Sequence, residues 1–290
     1  MNNHTISSFI SSIFDSYKIK LTDDITTLKY DIQTIICDVL DVNKTYLYLN
    51  SDKQLANDEF EQINLRVSRL IRGEPLAYIL GYKYFWDQKL LVTQDTLIPR
   101  ADTEVLVESV LDNIENKSAK LKILDLGTGA GAIALALAGE LPNSDVIAVD
   151  FSKKALEVAR RNAKENNITN IKFMQSDWYQ SLESEEFDII VSNPPYIDFS
   201  DSDIDVEVTK YEPSTALFAK NNGLADIEII ISQAQNFLKD RGQIYIEHGY
   251  AQARAIQEIF KNHGFKYIQT VKDLNSKDRC TQALYCNRST

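Results

Sequence analysis

Four consecutive residues, Asn193-Pro194-Pro195-Tyr196, carry groups suited to holding a small planar molecule. Asn193 offers a side-chain carbonyl acceptor and an NH₂ donor. Pro194 pushes Asn193 out of the helical region, and Pro195 does the same to Pro194, so the segment stays extended. Neither proline has an N–H to give a neighbour, and both keep a carbonyl acceptor. Tyr196 adds a flat face. Two converging acceptors beside a stacking surface suit a planar amide or amine that bears an NH₂ group. The apolar run before them, Phe187 to Ser192, reads as a buried strand. Taken alone, the four residues equally suit a tight Pro-Pro loop after that strand.

Upstream lies Leu121 to Leu126, a second apolar strand, which runs into Gly127-Thr128-Gly129-Ala130-Gly131 and then an Ala/Leu-rich helix from Ala132. Glycines at alternate positions let backbone approach a ligand and make a sharp strand-to-helix turn. The spacing differs from the Gly-x-Gly-x-x-Gly of dinucleotide binders, and no Gly-Lys-Ser/Thr follows as in a P-loop. A strand over 145–149 ends in Asp150, placed to accept both hydroxyls of a ribose. Another, over 171–175, leads to Asp177 and Trp178, an acceptor for an adenine amino group and a cover for the base. Ligands of open α/β sheets bind at strand C-termini, so these four strand ends converge on one crevice.

Asp125 to Gly131, Asp150, Asp177 and Asn193 to Tyr196 resemble the class I methyltransferases that use S-adenosylmethionine. The Asn-Pro-Pro-Tyr form is similar to enzymes that methylate the amino group of adenine or the side-chain amide of glutamine. Further stretches resemble the peptide chain release factor glutamine methyltransferases: Gly73 to Gly81 with Phe85-Trp86, Leu97 to Glu104, Tyr211-Glu212-Pro213 and Glu247-His248-Gly249. The resemblance runs from about residue 20 to the end. Pro99-Arg100-Ala101 stands where that family usually has Pro-Arg-Pro, and Lys210 where an Arg is common.

The resemblance implies a doubly wound, seven-stranded Rossmann-like α/β sheet with its last strand inserted antiparallel, a small N-terminal helical bundle and a connecting β-hairpin. It implies S-adenosylmethionine held by Gly127, Thr128, Gly129, Ala130, Gly131, Asp150, Asp177, Trp178 and Asn193, with S-adenosylhomocysteine as product. The substrate glutamine of a release factor would lie against Asn193, Pro194, Pro195 and Tyr196. Asn193 and Pro194 would each accept one amide N–H while Tyr196 packs on the amide plane, and no strong general base is needed.

Composition bounds these expectations. The chain of 290 residues is 44% hydrophobic and 25% charged, an ordinary globular balance for one large or two modest domains. Residues 1–74 read as a helical bundle for docking the substrate protein, 75–98 as a linker with a β-hairpin, and 99–290 as the methyltransferase domain. Apolar stripes support the bundle: Ile6 to Tyr17, Leu28 to Val39, and Phe60 to Ile71 before Gly73, three or four helices in all. The hairpin turn is expected at Asp87-Gln88-Lys89, and Asp102 is expected to cap a helix over 105–114. Residues 198–222 read as a long polar loop, a lid or substrate contact. The strands after it are expected over 243–247, 265–271 and 283–286.

Three scattered cysteines, Cys37, Cys280 and Cys286, make no disulfide framework and point to a reducing cytoplasm. No His/Cys cluster has metal-ligand spacing, and His248 reads as structural rather than as a base. No span or signal peptide is apparent, and a monomer is expected. The net charge is −11, and residues 1–75 hold eight Lys/Arg against eleven Asp/Glu. That balance argues against nucleic acid, whose binders carry a basic footprint. An adenine-N6 methyltransferase acting on DNA or RNA is therefore the second reading. A catalytically silent cofactor-binding fold and a dinucleotide dehydrogenase are opposed by the intact Asn193–Tyr196 and by the glycine spacing.

Overall fold

The structure, a computed structural model, describes residues 5–16, 25–183, 185–201 and 206–287. It divides into two compact units, Met1–Leu80 and Gly81–Thr290.

The first unit holds five helices among the described residues: α1 (Ile6–Ser16), α2 (Ile25–Leu40), α3 (Lys44–Leu49), α4 (Asn57–Ile71) and α5 (Leu76–Leu80). Its core is Ile6, Phe9 and Ile13, then Ile32, Ile35 and Ile36, then Ile63 and Val67, each set at helical spacing. The expected stripes are thus core faces, with Tyr17 and the Phe14 side chain outside the described residues. Sequence periodicity misses α3 and α5 because each spans fewer than two turns. The Asn43 side chain caps α3 by accepting from the Tyr46 N–H at 2.9 Å. Gly73 follows α4 with φ 84°, the left-handed stop that glycine tolerates.

The boundary at Leu80 divides the stretch 75–98 expected to be a linker. Its first part is helical and buries Ile79 in the first unit. The rest is a hairpin of β1 (Tyr82–Phe85) and β2 (Gln88–Leu91) that belongs to the second unit. Its turn is Trp86-Asp87 rather than 87–89, because Phe85 and Leu90 both enter the core and so pair Phe85 with Gln88. The Trp86 indole donates to Glu140 Oε1 at 2.8 Å, and its backbone N–H to Glu104 Oε1 at 2.9 Å. Asn162, fully buried, accepts the Leu91 N–H at 2.7 Å and donates to the carbonyls of Leu91 (3.1 Å) and Ala130 (2.8 Å). It ties the hairpin to the glycine loop.

A 3₁₀ turn, Ala101–Thr103, precedes α6 (Glu104–Asp112). Asp102 does not cap this helix: its carboxylate pairs with Arg279 at 3.0 Å. There follow β3 (Lys122–Leu126), α7 (Ala132–Glu140), β4 (Asp145–Asp150), α8 (Lys153–Glu165), β5 (Ile171–Gln175), β6 (Phe187–Ser192) and β7 (Ile197–Asp198). Next come α9 (Val206–Tyr211), α10 (Ser214–Leu217), β8 (Phe218–Ala219), α11 (Lys220–Gly223), α12 (Ala225–Ala234), β9 (Leu238–Glu247), α13 (Ala253–Asn262), β10 (Lys266–Lys272) and β11 (Asp278–Leu284). The seven-stranded sheet has the order β10-β11-β9-β6-β3-β4-β5, with β11 antiparallel to both its neighbours and the other contacts parallel. Helices α6 and α7 with the hairpin cover one face, α12 and α13 the other.

Three expectations of detail differ. β9 begins earlier than 243, and its residues 239–242 bulge out between the pairs Phe187–Leu238 and Ile189–Gln243. β11 begins at 278 because Asp273 accepts the N–H groups of Asn275 and Lys277 and folds 273–277 into a tight turn. Residues 198–222 are no free loop. β8 pairs with β7, and Gln252 Nε2 donates to the carbonyls of Tyr196 (2.9 Å) and Asn222 (3.0 Å), closing the segment onto the sheet; residues 202–205 lie outside the described part.

The variant N162A leaves three backbone polar groups without their partner. At about 1 kcal/mol or more for each, it lowers the unfolding free energy by about 3 kcal/mol, read from the denaturant midpoint.

Candidate active site

Leu126 pairs with Ser192 across the parallel β3–β6 contact, so the residues that follow, Gly127 and Asn193, leave the sheet side by side. The Ser192 hydroxyl donates to the Leu126 carbonyl at 2.7 Å and locks that register. Leu126 also pairs with Val149, which brings Asp150 to the other side of the loop. The three strand ends open on a cavity of about 450 Å³ lined by Gly127, Gly129, Asp150, Phe151, Trp178, Asn193 and Pro195, with Asp177 and Asp226 on its rim.

Within the glycine loop, Gly127, Gly129 and Gly131 have φ of 73°, 56° and 90°, which side chains resist. Gly127 and Gly129 line the cavity. Thr128 and Ala130 are buried, and the Ala130 carbonyl is taken by Asn162. A Cβ at Gly131 would press on Leu135 and Ala159, so this glycine serves the packing of α7 and α8. Asp150 Oδ2 accepts the Gly129 N–H and Oδ1 the Ser152 N–H, both at 2.8 Å. Each oxygen retains acceptor capacity toward the cavity. Burial raises the pKa of this carboxyl, and the two N–H groups oppose that shift.

Trp178 takes a left-handed backbone (φ 46°) that brings its ring over Gly127, where an added Cβ would meet it at 3.4 Å. Asp177 is exposed and accepts from Gln180 Nε2 at 2.8 Å. Among the lining residues that escaped the sequence reading are Phe151 and Asp226. Phe151, 71% exposed, directly follows the acid at the end of β4. Asp226, at the start of α12, faces Trp178; burial raises its pKa and the indole lowers it. Phe151 was legible as an aromatic beside the ribose acid, whereas Asp226 gave no signal.

Asn193 Nδ2 donates to Thr103 Oγ1 at 3.2 Å, and among the described residues nothing donates to its Oδ1. Pro194 is buried, and Tyr196 is half-buried with its hydroxyl donating to Glu247 Oε1 at 3.4 Å. Burial raises the Tyr196 pKa, with the Glu247 charge adding to it, so this phenol stays protonated. His248, fully buried, shares hydrogen bonds with the Gly249 carbonyl and the Thr281 hydroxyl. Burial lowers its pKa, which leaves a neutral structural imidazole. Glu212 holds Arg100 in an ion pair and accepts the Ile98 N–H at 3.0 Å, joining two of the motifs singled out in the sequence.

The cavity fits the cofactor that the resemblance implies. Its size suits a ligand of nucleoside dimensions. Gly129 opens on free space, Phe151 and Trp178 offer aromatic faces, and the Asp150, Asp177 and Asp226 carboxylates suit hydroxyl and amino donors and a cation.

Asp125 sits beneath the loop at 1% exposure, its oxygens without a well-formed hydrogen bond among the described residues. Burial pushes its pKa up to about 7, with Thr128 opposing and the Asp150 charge adding. A folded-state pKa above the unfolded 3.8 means that Asp125 contributes less stability as pH rises from about 4 to 7. The variant D125N removes that contribution, so the stability of wild type relative to D125N falls across this window in paired denaturant titrations.

A family model described as a methyltransferase domain matches residues 117–287, and one described as the PrmC N-terminal domain matches residues 17–81. A release factor glutamine methyltransferase of Francisella tularensis is 60% identical over 98% of this chain and 98% of its own length. The Escherichia coli K12 protein of the same name is 40% identical over 88% of this chain and 91% of its own. The crystal structure of a Pyrococcus furiosus methyltransferase shares the fold with a TM-score of 0.54 at 16% identity, over 77% of this chain and 99% of that one. On the methyltransferase-domain match and these near-full-length relatives, the chain belongs to the release factor glutamine methyltransferase family.

Proposed function

We propose that this protein moves the methyl group of S-adenosylmethionine to the side-chain nitrogen of the glutamine in the Gly-Gly-Gln segment of a peptide chain release factor. The observation that carries the reading is the Asn193 carboxamide at the cavity wall. Its nitrogen is committed to Thr103, which leaves its oxygen as an acceptor for an incoming NH₂ group. The family relatives supply the identity of that group as a glutamine amide. An exocyclic adenine amine would offer the same NH₂, but a chain of net charge −11 is a poor match for nucleic acid.

Asp150 would take the ribose hydroxyls, Gly127 and Gly129 would let the backbone come close, and Phe151, Trp178, Asp177 and Asp226 would receive the adenine. Thr128, Ala130 and Gly131 would hold the loop in shape from behind. Bound there, S-adenosylmethionine supplies a methyl group on a positively charged sulfur. An amide nitrogen is a weak nucleophile because its lone pair is delocalised into the carbonyl. The residues must therefore orient it. The Asn193 Oδ1 and the Pro194 carbonyl would each accept one amide N–H, fix the plane and stabilise positive charge growing on nitrogen. Tyr196, neutral and half-buried, would back the amide. Neutral His248 is held by two hydrogen bonds away from any proton-transfer role. The methylated nitrogen becomes acidic and loses its proton late.

The partner is the release factor, and the first unit would dock it. That unit carries no chemistry of its own and exposes Tyr48, Leu49 and Leu65 on α3 and α4. We place the protein in the cytoplasm as a monomer, consistent with the unpaired cysteines; among the described residues no helix is long and apolar enough to cross a membrane.

Labelled methyl transfers to a purified release factor and not to the same factor with its Gly-Gly-Gln glutamine changed to alanine; label on both, or on neither, overturns the assignment. In the same assay N193A loses at least about a hundredfold in kcat, the scale of one preorganised polar contact to developing charge. Removing residues 1–80 raises KM for the intact factor while leaving the rate on a short Gly-Gly-Gln peptide unchanged. Equal KM for the intact factor would dismiss the docking role.

A further inference from the structure

We infer that a second cavity, at the C-terminal end of α6 and away from the crevice, binds a small carboxylate-bearing ligand through the side-chain NH₂ groups of Gln243 and Gln269 and the guanidinium of Arg241. Nothing in methyl transfer requires this cavity.

It has a volume of about 310 Å³ and lies on β9, β11 and β10, with Asn113 of the α6 terminus and Arg241 of the β9 bulge at its wall. That volume falls at the lower end for small-molecule sites. Tyr245 pairs with Gln282 and Gln282 with Gln269, so the three form one row across the strands. Gln243 stands two residues before Tyr245 and shares its face. It pairs with Ile189 near the start of β6, whereas the crevice opens beyond the other end of that strand, at Asn193. Asn113 reaches Gln282, so α6 ends over β11, and Gln269 on β10 stays exposed.

Hydrogen bonds decide which end of each amide is left over. Asn113 Nδ2 donates to the Ser109 carbonyl at 2.8 Å, a group that can only accept, and this fixes the Asn113 amide. The same nitrogen donates to Gln282 Oε1 at 3.2 Å, and Gln282 Nε2 in turn to Gln269 Oε1 at 3.2 Å. The chain ends on the Gln269 NH₂, which has no partner among the described residues. The Tyr245 hydroxyl donates to Gln243 Oε1 at 2.8 Å and leaves the Gln243 NH₂ in the same condition. Arg241 makes no ion pair or side-chain hydrogen bond among the described residues. Two NH₂ groups and a cation thus line one space, against the single carbonyl oxygen of Asn113. Such a wall suits an anionic acceptor. Amide and guanidinium donors are planar and match the two coplanar oxygens of a carboxylate, while Leu284 and the Tyr267 ring offer apolar contact to the rest of the ligand.

The backbone and the charges around the cavity agree with this. Arg241 and Tyr267 hold left-handed conformations, φ 62° and 49°, which are costly for side chains and gather at binding sites. The last carbonyls of α6 would repel an anion, but they are taken. Asn113 Nδ2 holds that of Ser109, and the N–H groups of Asn113 and Ile114 hold those of Val110 and Leu111, each at 3.3 Å. Asp240, beside Arg241, accepts the Asn287 N–H at 2.9 Å. A chain of net charge −11 repels anions in general, so retention of one here reports the site itself.

The test is titration of the ¹⁵N-labelled full chain with benzoate, benzamide and inorganic phosphate, followed by the side-chain NH₂ signals that Q243M and Q269M assign. Benzoate shifts both signals and saturates at about millimolar concentration, as suits so small a ligand. Benzamide, with the same shape and no charge, binds at least about tenfold more weakly. R241Q, its fold checked by circular dichroism, loses about tenfold in benzoate affinity because the charged donor is gone. N113A frees Gln282, and with it Gln269, to turn over, and weakens benzoate too. Equal binding of benzoate and benzamide, no shift at either glutamine, or an R241Q affinity equal to wild type would overturn the inference. Phosphate binding more tightly than benzoate would overturn the choice of a carboxylate. Should R241Q not fold, the ratio of benzoate to benzamide affinity in wild type decides.

Discussion

The pairing of β3 with β6 is the constraint on which the site depends. These strands are neighbours in space but two strands apart in the chain, since β4 and β5 are laid down on the far side of β3 before the chain returns. That reversal of strand order opens a crevice above the sheet, because the connections after β3 and β6 must leave in opposite directions. Register then decides what meets there. With Leu126 opposite Ser192, Gly127 and Asn193 emerge together, and the Ser192 hydroxyl on the Leu126 carbonyl holds them so. A slip of one residue would turn every side chain of β6 to the other face. It would bury Asn193 in a core built from Phe187, Ile190 and their neighbours.

Around this pair the molecule places rigid supports from distant segments. Asn162 holds the glycine loop and β2 at once, so the hairpin braces the cofactor cavity rather than merely linking two units. The 3₁₀ turn brings Thr103 to Asn193, while the neighbouring Asp102 pairs with Arg279 of β11. Gly223, with φ 78°, lets the backbone before α12 pass against the Tyr196 carbonyl, a contact no side chain would permit. The segment Asn193–Tyr196 is therefore held by Thr103 at one end and by Glu247, Gln252 and the close passage of Gly223 at the other, although its own backbone has lost two N–H donors to proline.

What was legible in the sequence follows from how local each signal is. The glycine loop, the acid after β4 and the Asn-Pro-Pro-Tyr segment announce themselves within a few residues, and the crevice follows from strand alternation. The seven strands and the inserted β11 were legible only through resemblance; periodicity supplies the layers. The hairpin turn was displaced because burial of Phe85 and Leu90, a tertiary effect, chose the register. The structure in 198–222 was invisible because its elements are too short to show a period. Thr103 and Glu247 lie 90 and 51 residues from their partners in the site. Only the strand order makes them neighbours.

In the proposed reaction the same arrangement would let positioning act on a weak nucleophile, with no evident base among the described residues of the site. Positioning of two reactants supplies about 7–11 kcal/mol of a barrier, and it does so only where the bound geometry is stiff. A carboxamide that may flip is not stiff: in one orientation Asn193 attracts an incoming NH₂, in the other it repels it. Prolines freeze the backbone of the segment but say nothing about that side-chain choice. It must be made by a hydrogen bond from a side chain outside the segment. Thr103, brought by the 3₁₀ turn, supplies that bond: its hydroxyl accepts from Asn193 Nδ2 at 3.2 Å, which leaves the carboxamide oxygen without a donor among the described residues.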